Sequence, residues 1–413
     1  MSIVSTYPID CVRKQFPSLQ RTYNGKQVVF FESPGGTQFV GSAIKAINDY
    51  MTLSASNLGR VYPTSRETKA LLDKAREDVK VLFNADDAAV AFGLNATSMM
   101  FHTSRALARK WEEGDEILLT ELEHHANIDS WKTAAEDKKV KVKYIPLDTK
   151  TLTLNLDALP DLITSRTKLC AVGMASNSIG TIADVKTISS YVKKAGAVFV
   201  VDAVHAVPHI FVDMRDLGID MLFSSAYKFF ASHVGMAIIK KELFENLDVY
   251  KVAPAPDYIP DRLELGTQNH EGIPAISAAV QFIASFGSGS TLKEQIISGY
   301  RVIEDYETTL AEMMRNEMKK ISGITLYQAG DNVRKTPTIA FRAEGITNID
   351  FCTRMCEEHS VFLDSGDFFN VILTNKLGIR ESGSLIRAGL APYNTLEEVE
   401  RFLNGVKAIM ASR

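Results

Sequence analysis

The sequence predicts an α/β fold: a large domain with a doubly wound, mostly parallel sheet, followed by a smaller C-terminal α+β domain. Three observations predict it. From about residue 88 to residue 240, short apolar runs alternate with stretches of helical period, which is the pattern of βαβ units. Val198 to Val201 is an apolar, β-branched run, as a strand buried on both faces is. Pro254, Pro256 and Pro260 then break regular structure, and Gly287-Ser288-Gly289-Ser290 forms a flexible joint before the last third. These breaks divide the chain into an N-terminal segment over 1–30, a large domain over 31–287 and a small domain over 288–413, with the N-terminal segment packing on the small one.

Residues 1–30 form a short helix-like segment that leads into a strand from Gln27 to Phe31. The loop Ser33-Pro34-Gly35-Gly36-Thr37 follows. It is either a tight turn or a set of backbone N–H groups offered to an anion, although no lysine follows as a P-loop requires. Helices are expected at Gly41–Thr52 and Ser65–Phe83, separated by an irregular stretch around Asn57-Leu58-Gly59-Arg60. Ala88–Phe92 is a strand, and Gly93-Leu94-Asn95-Ala96-Thr97-Ser98 leads into a helix over Met99–Trp111. Such a helix start either caps itself or cradles a phosphate.

Glu116–Thr120 is the next strand, followed by Glu123-His124-His125-Ala126-Asn127. Adjacent histidines point different ways and no further ligand sits at chelating offset, so stacking or capping suits them better than metal. Strands are expected at Val140–Ile145 and Lys168–Met174, a helix at Asp184–Ala195 and a further strand at Val234–Ile239. No G-x-G-x-x-G follows an early strand, which leaves a dinucleotide fold without support. Helices at Pro274–Phe286 and Leu292–Ile321 lead to strands near Thr338–Arg342 and Leu385–Leu390. Cys352, Cys356 and His359 share one helix face; a zinc site there lacks a fourth ligand, and small buried side chains explain them equally.

The chemistry concentrates between Val198 and Gly235. The strand at Val198 ends on Asp202, and a second short run, Met221–Ser224, delivers Lys228 among Tyr227, Phe229 and Phe230. The two groups are 26 positions apart, the spacing of neighbouring strands joined by a crossover, so both can face the crevice at the strand ends. The bland reading is an edge salt bridge with a snorkelling lysine. The chemical reading is pyridoxal 5'-phosphate, which needs a lysine for its Schiff base and an acid opposite its pyridinium nitrogen.

Composition narrows the field. The chain of 413 residues is 46% hydrophobic and 23% charged, an ordinary globular balance. Its net charge of −4 supplies no basic field, so no nucleic-acid partner is expected. Four cysteines without paired spacing point to a reducing compartment. Asp10, Arg13 and Lys14 interrupt the apolar core that a signal peptide needs, and no run approaches the roughly eighteen residues of a membrane span. A cytoplasmic protein without membrane attachment is the expectation.

Taken together, the motifs EHHANI at 123–128, ASNSIGT at 175–181, DAVHAVPH from Asp202, SSAYKFF at 224–230, RLELGTQN at 262–269 and IRAGLAPYNTLEEV at 386–399 resemble the class V aminotransferase family of fold-type I pyridoxal-phosphate enzymes. The resemblance is nearest to the cysteine desulfurase-like branch and runs from about residue 25 to residue 405. It implies that Lys228 is the Schiff-base lysine, Asp202 the partner of the pyridine nitrogen and His124 the ring stacked on the cofactor. It also implies that Asn177 and His205 lie near the cofactor ring, that Asn95, Ala96, Thr97 and Ser225 hold the phosphate, and that Tyr227 donates to it. Thr267 resembles a residue that reaches the phosphate of a neighbouring subunit, which implies a homodimer with shared sites. Arg387 would grip the substrate α-carboxylate.

Three departures bear on the reaction. His205 stands where a glutamine is common in that branch, and Tyr227 where a histidine is. The stretch Asp364-Ser365-Gly366-Asp367-Phe368-Phe369-Asn370 carries no thiol where desulfurases place a nucleophilic cysteine, and Asp364 replaces an arginine. The expected reaction is therefore loss of a β-substituent from a cysteine-like amino acid, which needs no enzyme thiol. Transamination, decarboxylation and epimerisation are the alternatives on the same scaffold. A non-catalytic scaffold is the rival of another class.

Overall fold

The computed structural model describes residues 7–413. At its centre lie seven strands: β1 Ala88–Gly93, β2 Glu116–Thr120, β3 Lys141–Ile145, β4 Thr167–Gly173, β5 Val198–Asp202, β6 Met221–Ser225 and β7 Gly235–Lys240. Their order across the sheet is β1-β7-β6-β5-β4-β2-β3. Neighbours run parallel except β7, which is antiparallel to both β6 and β1. Between β2 and β4 the strand order reverses, and there an open α/β sheet forms a crevice at its strand ends.

The central strands β5 and β6 are buried along nearly their whole length, which explains their near-continuous apolar runs. In β1, Val90 and Phe92 join one core layer while Ala89 and Ala91 join the other. In β5, Phe199 and Val201 face one layer and Val200 the opposite one. Each fully buried phenylalanine or valine of this kind contributes about 1.5–3 kcal/mol of transfer free energy.

A second sheet follows: β8 Ile324–Leu326, β9 Thr338–Ala343, β10 Asp364–Gly366 and β11 Leu385–Gly389, antiparallel in the order β8-β9-β11-β10. One continuous apolar cluster joins the two sheets, containing Phe92 and Val201 as well as Phe341, Ile386 and Val399. The beginning of the described chain packs on the region after the second sheet: Tyr7 Oη donates to the Pro392 carbonyl (2.9 Å) and Arg13 pairs with Glu398 (2.7 Å).

The sequence expectation errs in particular places. The run Gln27–Phe31 is not one strand. Lys26–Gln27 closes a hairpin with Thr22–Tyr23 about a left-handed Asn24-Gly25 turn, while Val29–Phe30 pairs in parallel with Val361–Phe362. Val28 is the break, because its N–H turns back to the Arg21 carbonyl (2.9 Å). The first helix ends at Asp49 and passes into a wider turn over Tyr50–Ser54. The helix expected from Met99 begins at Ala96, since Asn95 and Ser98 form a reciprocal capping box. The first six residues of the N-terminal segment lie outside the described residues. No helix among the described residues is long and apolar enough to cross a membrane.

Candidate active site

A cavity of about 990 Å³ opens at the carboxyl ends of the parallel strands. Asn95, Ala96, Thr97, His124, Asn177, Asp202, His205, Ser225, Tyr227, Lys228 and Arg387 all line it. Thr267 does not: it is exposed on the surface, away from its own chain's cavity.

The elements explain the convergence. Asp202 is the last residue of β5, in parallel register with Gly173 of β4 and Phe223 of β6. Burial pushes its carboxyl up to about 6, against the opposing pull of the Val204 N–H (2.9 Å) and the charge of Lys228. Lys228 lies in the turn just beyond β6 and donates to the carbonyls of Pro34 and Gly35. Burial first and the nearby Arg387 second hold its amine down at about 7, so a neutral, nucleophilic lysine is accessible near neutrality. The Ser33–Thr37 loop therefore differs from the anion reading. The N–H groups of Gly35 and Gly36 turn to the Glu32 carbonyl, and the loop aims carbonyls at the lysine.

His124 follows β2. Its Nδ1 accepts the Ala126 N–H (3.0 Å), which leaves the proton on Nε2, and burial keeps the ring neutral with a pKa lowered to about 4. Its neighbour His125 turns elsewhere, with Nδ1 at 3.1 Å from the Phe369 carbonyl. Tyr227 stacks nearly parallel on His233, with centroids 4.6 Å apart.

The helix Ala96–Ala108 points its N-terminus at the cavity. Ala96 N–H donates to Ser225 Oγ (2.9 Å) and Ser98 N–H to Asn95 Oδ1 (2.9 Å), leaving the Thr97 N–H and hydroxyl without a partner among the described residues. Gly235 lets the helix sit directly on β7, because a Cβ there would lie 2.2 Å from the Asn95 carbonyl carbon. Arg387 comes from β11 of the second sheet. Its Nη1 donates to the Asn177 carbonyl (2.8 Å), and its guanidinium lies 3.7 Å from the centroid of the Phe368 ring.

Sequence reasoning missed several lining groups. Glu123 is fully buried and accepts from Thr120 Oγ1 (2.7 Å), Asn127 Nδ2 (2.9 Å) and Gly173 N–H (2.7 Å). Burial, with Asp202 nearby, pushes its carboxyl up to about 8 against those three donors. The Asn127 bond at i+4 was a readable local signal; the Gly173 bond was not. Phe368 and Phe369 are both left-handed (φ 53° and 58°), and Phe369 lies against His124 at 5.1 Å. Behind the wall, Thr338 of β9 and Thr336 just before it reach His205.

These residues fit pyridoxal phosphate. The free helix N-terminus suits a phosphate, Lys228 and Asp202 suit the aldehyde carbon and the ring nitrogen, and His124 supplies a flat neutral face. Two buried polar atoms of wall residues, His205 Nδ1 and Asn177 Oδ1, lack a partner among the described residues, as a wall shaped for a polar ligand would leave them.

The comparisons agree. Residues 29–402 match the model of the family described as aminotransferase class-V. The chain is 28% identical to the aminotransferase-like protein FGM3 of Gibberella zeae, covering 98% of this chain and 99% of that one. It is 28% identical to the cysteine desulfurase CsdA of Escherichia coli, over 95% of this chain and 96% of the relative. The crystal structure of that CsdA superposes with a TM-score of 0.84 at 26% identity, covering 98% of this chain and 99% of that one. The cavity chemistry and the match across nearly the whole length lead to one assignment: the chain belongs to the class V aminotransferase family and is a pyridoxal-phosphate-dependent enzyme.

Proposed function

We propose that the protein cleaves the Cβ–S bond of an S-substituted, cysteine-like amino acid by elimination, without an enzyme thiol. The observation that carries this reading is the segment Asp364–Asn370. It holds no cysteine, and it fills the cavity wall with Phe368 and Phe369 instead. Cys352, on the helix that precedes that segment, is buried, and burial pushes its thiol up to about 12. A thiol so reluctant to ionise is a poor nucleophile for persulfide formation.

Pyridoxal phosphate, when bound, supplies an electron sink for the carbanion at the substrate Cα. The protein's own residues do the rest. Arg387 Nη2 has no partner among the described residues and would offer charged donors to the substrate carboxylate. That orientation presents the Cα–H bond to Lys228 Nζ, which takes the proton in its neutral form. Asp202 would pair with the ring nitrogen, and Thr97 and Ser225 would hold the phosphate; the Ala96 N–H, expected to join them, is already given to Ser225 Oγ (2.9 Å). The electron pair from Cα forms the Cα–Cβ double bond as the Cβ–S bond breaks, and sulfur departs with its electrons as a thiolate that takes a proton. Hydrolysis of the released enamine gives pyruvate and ammonia.

Two companion proposals follow from the same site. The enzyme works as a homodimer: Val61, Leu94 and Leu265 are 90%, 77% and 58% exposed, Leu94 lies at the cavity itself, and exposed Thr267 is available to a second copy's phosphate site. The chain is also best treated as a large domain over 31–287 and a small one over 288–413, since each holds its own sheet.

The test is incubation of the purified enzyme with a series of S-substituted cysteines. Pyruvate, ammonia and free thiol in equal amounts support elimination. A 2-oxo acid that retains its sulfur, formed together with the amino form of the cofactor, establishes transamination instead. Alanine with protein-bound persulfide from L-cysteine, assayed beside the series, establishes desulfuration and overturns the proposal.

A further inference from the structure

An acid stands beside the arginine at the substrate end of the cavity. Asp364 of β10 lies directly opposite Arg387 of β11, and both residues line the cavity. Residues opposite each other on antiparallel strands project from one face, with Cβ atoms about 5 Å apart. Asp364 is exposed; its Oδ1 accepts the Ser365 N–H (2.7 Å), and its Oδ2 has no partner among the described residues. Arg387 does not take it up: the guanidinium is held by the Asn177 carbonyl (2.8 Å) and the Phe368 ring.

The charges around the cavity leave this acid over. The lining carries two lysine or arginine cations, Lys228 and Arg387, against four acids, Glu123, Asp129, Asp202 and Asp364. In the proposed function the cofactor takes Lys228 and Asp202, and the substrate carboxylate takes Arg387. Glu123 is bonded to its three donors. Asp129, on the helix Ala126–Asp137, and Asp364 remain, and of these only Asp364 is the strand partner of Arg387. Glu32, near Asp364 but outside the lining, is another acid rather than a counter-cation. Once Arg387 is neutralised, an unpaired anion beside it favours a positive group and opposes a negative one. Phe369, 68% exposed on the same wall, adds an aromatic face that also favours a cation. At about 990 Å³ the cavity is large for a small-molecule site, with space for a side chain longer than that of cysteine.

We propose that Asp364 is a specificity-determining residue that pairs with a positively charged amino group at the far end of the substrate's sulfur substituent. The preferred substrates are then S-(aminoalkyl)cysteines, and acidic substituents are turned away. This rests on the elimination reading and names which substituents that site accepts. The competing role for Asp364 is a mere counter-ion to Arg387, which would weigh on every substrate's carboxylate alike.

The test compares three ligands of similar length on the purified, cofactor-loaded enzyme: S-(2-aminoethyl)-, S-propyl- and S-(carboxymethyl)-L-cysteine. Affinity is read from the change in visible absorbance on mixing, and products are analysed separately. The aminoethyl compound should bind about tenfold or more tightly than the propyl compound, and the carboxymethyl compound most weakly. Asp364→Asn should bring the aminoethyl and propyl compounds within about threefold of each other, and Asp364→Lys should place the carboxymethyl compound ahead of the aminoethyl one. Asp129→Asn should keep the wild-type ratio. An aminoethyl-to-propyl ratio that Asp364→Asn leaves unchanged, as a counter-ion would, overturns the proposal. So does a wild-type enzyme without preference for the cation, one that responds to none of the three, or a ratio that closes with Asp129→Asn instead. The same order of affinities with products other than thiol, pyruvate and ammonia supports the charge preference and contradicts elimination, so the two failures are distinguishable.

Discussion

The two ends of the cavity are built by different means. At the cofactor end, regular structure sets the groups: Asp202 closes β5, Ser225 closes β6, and Thr97 lies in the first turn of a capped helix. At the substrate end, Arg387 reaches across from the second sheet and rests on the Asn177 carbonyl and the Phe368 ring. The wall there is a short loop whose Phe368 and Phe369 both stand in the left-handed region, at about 1–3 kcal/mol each. The difference teaches where change is tolerated. Parallel strand register sets the groups that suit the cofactor, and an irregular loop with left-handed residues forms the wall where the proposed function seats the substrate.

The largest expected effect tests the cofactor end. Lys228→Ala removes the amine to which the proposed mechanism gives the Cα proton, and turnover should fall at least about a hundredfold. The visible absorbance of lysine-bound cofactor should vanish with it; a variant that stays coloured and active would break the assignment. Arg387→Lys comes next, at the substrate end. Loss of a two-pronged charged contact should raise KM by about tenfold or more with a smaller change in kcat. A fall in kcat at constant KM would mean that the arginine does not hold the carboxylate.

A third prediction concerns pH in the cofactor-free protein. The Lys228 amine is held at about 7 when folded, against an ordinary 10.5. Between those values the unfolded chain binds more protons, so wild-type stability gains with rising pH; below about 7 the native state bears the full burden of a buried charge. Lys228→Met has no such dependence. Its Tm advantage over wild type should be largest near pH 6.5 and shrink toward pH 10, and an advantage that grows with pH would contradict the depressed amine. The smallest effect sharpens the loop's role. Phe368→Ala removes the ring facing Arg387, worth about 0.5–2 kcal/mol, and should raise KM by a few fold or up to about thirtyfold without moving the absorbance spectrum. A spectral change would show that the two ends are not separable.

This contrast also marks how far the sequence could be read. Strands with uniform apolar runs, such as Val198–Asp202, announce burial on both faces, and the spacing of Asp202 and Lys228 follows from one crossover. What stayed hidden depends on partners far along the chain. The run at Gln27–Phe31 splits because one half pairs with Val361–Phe362. His205 meets Thr336 and Thr338 more than a hundred residues on, and Phe368 reaches Arg387 through the register of β10 on β11. No local period records such contacts. The antiparallel direction of β7 was equally silent, because an apolar run carries no sign of its direction.

The central claim is that a carboxylate and an amine on adjoining strand ends bracket the cofactor. Reduction of the loaded enzyme with borohydride, followed by proteolysis and mass spectrometry of the peptides, tests it most directly. The account predicts one pyridoxyl-phosphate group per chain, attached to Lys228. Attachment to any other lysine, or no attachment in protein that is folded and coloured, would contradict it.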